Sequence, residues 1–357
     1  MTSAPEGEAV LEGVTILDFS QTLPGPYATQ LLIDQGAEVV KIERPSSGDV
    51  LRTMIPGMFA AHNRGKRSLT LNLREERGSE IALRLAARSD VVIEGFRPGV
   101  MERLGLSYEE LRQGSPGLVY CSISGYGTTG PLRQAPGHDL NYMAHAGWLG
   151  ANRAGGPAAE DPDVPVTDLA AGLFAAHGIV LALIRRWRTG EGSYLDVSLT
   201  DVAATWALTR MGSYILDGRT PEFDQRDHPG HGVYECADGR RITIGAMEDH
   251  FWERMCRALG IEERSALPIG ERSRRAEELR EQIAARVRTE SAPEWVERLE
   301  AVDVPVAVVL DVTDVDSSEL FRARNLFFRD EGIGGDGEIL QARDPVAVDP
   351  ARPVRYV

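Results

Sequence analysis

Short apolar runs alternate with amphipathic stretches along the first 130 residues. Val14–Phe19, Ala37–Ile42, Ser68–Leu73, Asp90–Glu94 and Leu118–Ile123 read as strands. Between them Gly25–Gln35 and Gly78–Ala87 read as helices, with a shorter one near Tyr108–Leu111. Pro26 suits a first helical turn, where no amide partner is needed. Alternation at this spacing predicts a parallel sheet with helices on both faces, an α/β fold. Asn152–Pro165, rich in Gly, Ala, Pro and Asp, reads as a loop. Leu169–Ile184 follows as an interior helix, a mainly apolar run of 16 residues that includes Gly172, His177 and Gly178 and is shorter than the ~18–20 that cross a bilayer.

From about residue 225 the pattern changes. Val233–Ala237 and Arg241–Ala246 flank Asp238-Gly239, a hairpin turn signal. Helices at Glu248–Leu259, Arg274–Val287 and Ala292–Ala301 follow, predicting a smaller α+β unit, and from Val304 the chain returns to strand-like segments.

A chain of 357 residues has room for about two domains. Its net charge of −15 disfavours nucleic acid and anionic membrane as partners but permits an anionic small ligand held by a local cation cluster. Cys121, Cys236 and Cys256 are too few and too scattered for a disulfide framework or a zinc site. The N-terminus has no basic-then-apolar leader pattern, so a cytoplasmic protein is expected.

Gly125-Tyr126-Gly127-Thr128-Thr129-Gly130 follows a strand but runs into Pro131 and Pro136, so no helix opens there to hold a pyrophosphate. A nicotinamide site is therefore not expected. His228-x-x-His231 beside Asp227 encloses Pro229-Gly230 and reads as a turn before a metal site, and no metal is expected. Arg44 and Arg97 lie at strand ends, where an open α/β sheet binds ligands. With Arg64, Lys66 and Arg67 they form either a phosphate-binding cluster or ordinary solvated charge. His138-Asp139, Asp168 and Glu248 all fall at predicted helix starts. The carboxylates there fit a capping role as well as an acid–base one. A histidine differs, because a positive helix end favours the neutral ring that a base needs. His145 and Trp148 read as helix packing, with a pocket-lining role as the alternative.

At these residues the chain resembles the class III CoA-transferase family, also called the carnitine/bile-acid CoA-transferase family, and within it the α-methylacyl-CoA racemase branch. The resemblance covers essentially the whole chain. It is carried by Leu23-Pro24-Gly25-Pro26-Tyr27, the segment Val39–Pro45, Asn63-Arg64-Gly65-Lys66-Arg67, the segment Glu94–Val100, Gly125–Pro131, Gly137-His138-Asp139-Leu140-Asn141-Tyr142 and Tyr234–Arg240. It implies an interlocked homodimer with active sites shared between subunits. Each chain would have a Rossmann-like large domain (1–190 and 310–357), a linker (191–224) and a small α+β domain (225–309).

By resemblance Asp168 matches the family's catalytic aspartate, and Gly137-His138-Asp139 marks the racemase branch, where transferases have an aromatic residue before the aspartate. Glu248 matches the glutamate that partners the histidine. Arg44, Arg74 and Arg97 match CoA-contacting positions, and Lys66 and Arg67 are expected to join them. The implied reaction is two-base inversion at the α-carbon of a 2-methylacyl-CoA, with His138 on one face and Asp168 on the other. CoA is then part of the substrate and no separate cofactor is required. Thr167-Asp168-Leu169-Ala170-Ala171-Gly172 departs from the glycine-rich racemase pattern, which points to a reshaped acyl pocket. Two alternatives stay open: CoA transfer through an aspartyl-CoA thioester on Asp168, and acyl-CoA binding without catalysis.

Overall fold

Six strands build one parallel sheet: β1 (Thr15–Asp18), β2 (Glu38–Glu43), β3 (Arg67–Thr70), β4 (Val91–Glu94), β5 (Val119–Ser124) and β6 (Ser193–Ser198). Their spatial order is β3-β2-β1-β4-β5-β6, every neighbouring pair parallel. This is the doubly wound order, in which the chain reverses direction between β1 and β4 and opens a crevice at their carboxyl ends. The computed structural model that shows this describes residues 9–149, 163–217, 228–331 and 338–346.

The continuous apolar runs are explained by burial on both faces. On one face Ile16, Val39, Ile93, Val119 and Cys121 pack against α1 (Pro24–Ile33) and the long helix Val166–Thr189. On the other, Leu17, Ile42, Val92 and Tyr120 meet α4 (Glu76–Ala86), α5 (Val100–Arg103) and α6 (Tyr108–Gly114). Two short helices, α2 (Leu51–Met54) and α3 (Pro56–Asn63), lie between β2 and β3, parted at Ile55 because Pro56 begins a new helix. After β5 come α7 (Asp139–His145) and the long helix, α8. At 24 residues α8 exceeds the 16 expected from sequence and is long and apolar enough to span a bilayer by composition. Here its Ala171, Ala175, Ile179 and Leu183 side lies in the core.

Residues 191–224, expected as a linker, include β6 and α9 (Leu199–Asp217), so the sheet gains a sixth strand that the sequence reading lacks. Residues up to 211 and those from 324 onward belong to one compact unit, and 212–323 to a second. In the first, the antiparallel pair β10 (Phe327–Glu331) and β11 (Glu338–Ala342) returns to α3. Gln341 Nε2 donates to Ala60 O (3.1 Å) and Arg64 Nη2 to Ala342 O (3.0 Å), while Arg64 also grips Asp34 with both terminal nitrogens.

The second unit holds the predicted hairpin, β7 (His231–Glu235) and β8 (Arg241–Gly245), with β9 (Val306–Val308) added beside β8. Four helices, α10 (Asp249–Ala258), α11 (Ile269–Arg274), α12 (Ala276–Val287) and α13 (Ala292–Glu300), follow the hairpin. Ile242, Ile244, Trp252, Leu279, Ile283, Trp295 and Leu299 form its core. The Asp238-Gly239 turn is closed by Arg240 N donating to Asp238 Oδ1.

Candidate active site

Asp139 binds two parts of the first unit together. It is the first residue of α7, yet its Oδ1 accepts from the backbone N–H of Thr167 (2.7 Å), the Thr167 hydroxyl and the N–H of Asp168 (3.1 Å). Helix α8 has Pro165 at its N-cap, which offers no side-chain acceptor, so Asp139 supplies the cap from 28 residues away. His138 and Asp168, which sequence could not connect, are thereby placed next to the two ends of this bridge. Asp168 sits inside the first turn of α8 and is not its cap, a correction to the expectation of a helix beginning after it.

Asp168 is largely buried, and burial first, then the Asp139 carboxylate, push its carboxyl up to about 7. A carboxyl poised there exchanges its proton readily near neutrality. His138 stands at the N-cap position of α7 with an exposed side chain, its backbone N–H donating to Asn141 Oδ1 (3.0 Å).

The glycine-rich loop serves packing at this site. The Tyr142 ring lies between Gly125 and Gly137, where a Cβ would come within 2.5 and 2.6 Å of its atoms, and its hydroxyl donates to Gly137 O. Burial, followed by the Asp168 charge, raises the Tyr142 phenol to about 12. The loop itself is fastened by Asp196 of β6, which accepts from the N–H and hydroxyl of Thr128. Turns follow it and no helix opens, as the two prolines imply. His145 packs edge-on to Tyr126, and Trp148 donates to Ala203 O (2.7 Å) and stacks near Trp206, so both serve helix packing.

The expected cations separate into two groups. Arg44, Arg74 and Arg97 are exposed beyond the ends of β2, β3 and β4 and form no ion pair among the described residues. Arg97 also lies close enough to Tyr142 for its charge to act on the phenol. It further lines a cavity of about 400 Å³ with Glu94, Tyr108, Tyr120 and Tyr194, on the α5–α6 face and apart from Asp168. Arg67 is 77% exposed, 3.5 Å from Glu38. Lys66 does not fit the expectation. It is buried, and its ammonium donates to Pro26 O and Asn63 Oδ1 (both 3.0 Å) and pairs with Asp18, so it cannot reach a surface phosphate.

Lys66 belongs to an internal network that the sequence did not reveal. Lys41 joins it, paired with Asp49 (3.0 Å) and donating to Ser20 O (2.8 Å), and Asp18 accepts from Ser20 and Thr29. Burial works to raise the Asp18 carboxyl, but Lys41, Lys66 and Ser20 together hold it below the usual range. Burial lowers the Lys66 ammonium to about 7. The network anchors the loop from β1 into α1, the floor of the crevice. Glu43, which ends β2, accepts two hydrogen bonds from Arg52 and one each from Ser68 and Asp49 N, and is thereby held at about 2 despite burial. These bonds fix the loop that carries Arg44.

Glu248 belongs to the second unit. It occupies the N-cap position of α10 but makes no cap bond, and its side chain is exposed. His228 there is buried, its Nδ1 accepting from Gly230 N in the expected turn, while Asp227 lies outside the described residues. Among the described residues no group of three or more His, Cys, Asp or Glu is arranged to hold a metal.

The chain is 33% identical to human alpha-methylacyl-CoA racemase, covering 90% of this chain and 83% of that one. It is 32% identical to the acetyl-CoA:oxalate CoA-transferase of Acetobacter aceti, covering 93% and 89%. Among solved structures, a CAIB/BAIF family protein from Brucella suis superposes with a TM-score of 0.85 at 30% identity, covering 96% of this chain and 94% of that one. The model of CoA-transferase family III matches residues 11–356. With the doubly wound sheet and this near-complete match, the chain belongs to CoA-transferase family III.

Proposed function

We propose that the protein racemises or epimerises a 2-methylacyl-CoA, or a similar α-substituted acyl-CoA. The observation that carries this is Asp168, a carboxyl poised at about 7 and bridged through Asp139 to the segment that presents His138. One of the two takes the α-proton, the thioester carbonyl becomes an enolate, and the other returns a proton to the opposite face. At neutral pH Asp168 is divided between its two forms, so it can act in either direction. By the family resemblance, Glu248 of a second copy of the chain would orient the histidine. The α8 amides of Thr167 and Asp168 are taken by Asp139, so the enolate oxygen is left to other donors.

Arg44, Arg74, Arg97 and the exposed Arg67 hold the phosphates of CoA, which enters and leaves as part of the substrate. No further cofactor is needed. A second copy of the chain is the partner we infer. Leu173, Leu181, Ile184 and Trp187 of α8 and Leu208 of α9 are all exposed, an apolar surface that a homodimer would cover.

CoA transfer is the second reading, because transferases stand beside racemases among the similar proteins. In it the ionised Asp168 attacks the thioester and CoA leaves as thiolate; the thiolate then attacks the Asp168 carbonyl of the mixed anhydride, releasing the first acid as carboxylate and leaving an aspartyl-CoA thioester, which the acceptor carboxylate opens in the same two steps reversed.

Proton NMR of 2-methylacyl-CoA in deuterated buffer, with and without a free acid acceptor, separates these readings. Loss of the α-proton signal together with optical rotation supports racemisation, and full activity in His138→Ala would refute the two-base scheme. Appearance of the acceptor's CoA ester without exchange would make Asp168 a nucleophile. Neither reaction would indicate a binding protein.

A further inference from the structure

Glu248 starts α10 without folding back on the helix, so its direction depends on how the backbone around it is held. The residue that holds it is Arg272, on α11 and 1% exposed. Its Nη1 donates to Met247 O (3.0 Å) and its Nη2 to Asp249 Oδ1 (2.5 Å), the residues on either side of Glu248. Nε donates to Leu267 O (2.6 Å), and the guanidinium lies 4.9 Å from the centroid of the Trp252 ring. Trp252 is buried in the core and its backbone N–H donates to Glu248 O (2.9 Å), while its indole N–H donates to Arg264 O (2.8 Å).

We infer that Arg272 is the positioning residue for Glu248, its planar fork fixing Met247 and Asp249 so that the carboxylate between them projects in one direction. A buried guanidinium is costly to keep, and a lysine would offer one point of attachment where the fork offers three. The inference rests on the reading of Glu248 as the partner of the catalytic histidine.

The test measures α-proton exchange of 2-methylacyl-CoA by wild type, Glu248→Gln, Asp249→Asn, Arg272→Lys and the double variant Glu248→Gln/Asp249→Asn. The Asp249 side chain is 83% exposed and an asparagine there keeps an acceptor for Arg272, so this variant disturbs the fold less than a change at Arg272, and the melting temperature of each variant is measured beside its kinetics. Arg272→Lys and Asp249→Asn are expected to lower kcat about ten- to a hundredfold, the scale of a small misplacement, with KM within about twofold. In the Glu248→Gln background Asp249→Asn should change little further, because both act through one carboxylate. A merely structural role would lower the melting temperature and act equally in both backgrounds. If Glu248→Gln loses activity while Asp249→Asn and Arg272→Lys keep it, the positioning role is overturned and the reading of Glu248 stands. If Glu248→Gln exchanges like wild type, or wild type does not exchange at all, that reading falls and the positioning role with it.

Discussion

Replacing Asp139 by Asn keeps an acceptor oxygen for Thr167 and Asp168 and removes only the charge. The Asp168 carboxyl stands at about 7 against an ordinary 3.8, a rise of about 3 pH units, and two causes account for it. Burial is the larger cause and the Asp139 charge the smaller. The variant's Asp168 should therefore ionise at lower pH while staying above the ordinary range. Its basic form then persists further into acid, and the acid limb of the exchange rate moves to lower pH. The cap also weakens, because hydrogen bonds to a charged acceptor contribute about 1.5–3 kcal/mol and neutral ones about 0.5–1.5, so the fold should lose about 1–2 kcal/mol. The assay is the pH dependence of α-proton exchange beside thermal denaturation. An acid limb at the wild-type position in a folded Asp139→Asn protein would refute the electrostatic argument, whatever the loss of stability.

Asp168 also imposes a stability trend opposite in sign to that of a salt-bridged acid. Its folded value lies above its unfolded one, so its contribution is complete below about pH 4 and is lost as pH rises through about 7. Asp168→Asn should remove that slope, worth at most about 4 kcal/mol, in urea melts at pH 4 and pH 8. Gly137→Ala sets a methyl against the Tyr142 ring, and overpacking of this kind should cost about 1–3 kcal/mol in the melt and reduce exchange more than tenfold. Lys66→Met leaves the buried Asp18 with Lys41 as its one nearby cation among the described residues and should cost about 3 kcal/mol with KM for acyl-CoA unchanged, whereas Arg67→Ala should raise KM and leave the melt within about 0.5 kcal/mol.

The parallel sheet was legible because Val91-Val92-Ile93 and its counterparts face apolar layers on both sides, a pattern that survives without tertiary knowledge. The hairpin was legible because Asp238-Gly239 encodes its turn locally. Strand β6 was not, since a short edge strand that begins directly after Gly190-Glu191-Gly192 is masked by that turn-rich approach. Residue types at helix starts pointed to His138, Asp168 and Glu248, but the carboxylate that joins the first two acts across 28 positions, and no local pattern records that. Lys66 was misread for the same reason: its counter-ion, Asp18, lies 48 positions earlier, and a lysine beside two arginines otherwise looks like surface charge.

The first unit is built from both sides of the second in sequence, and this sets the order in which a ribosome can finish the molecule. Until residues 338–346 emerge, Ala60 O has no Gln341 to bond it, Arg64 has no Ala342 carbonyl and Gln35 has no Asp344. The nascent chain therefore holds its sheet and its entire second unit before the β10–β11 clasp closes over α3. A premature stop after residue 323 would release a chain with the proposed active-site residues all present and the clasp missing. Such a product would be open to proteases at the uncovered α3.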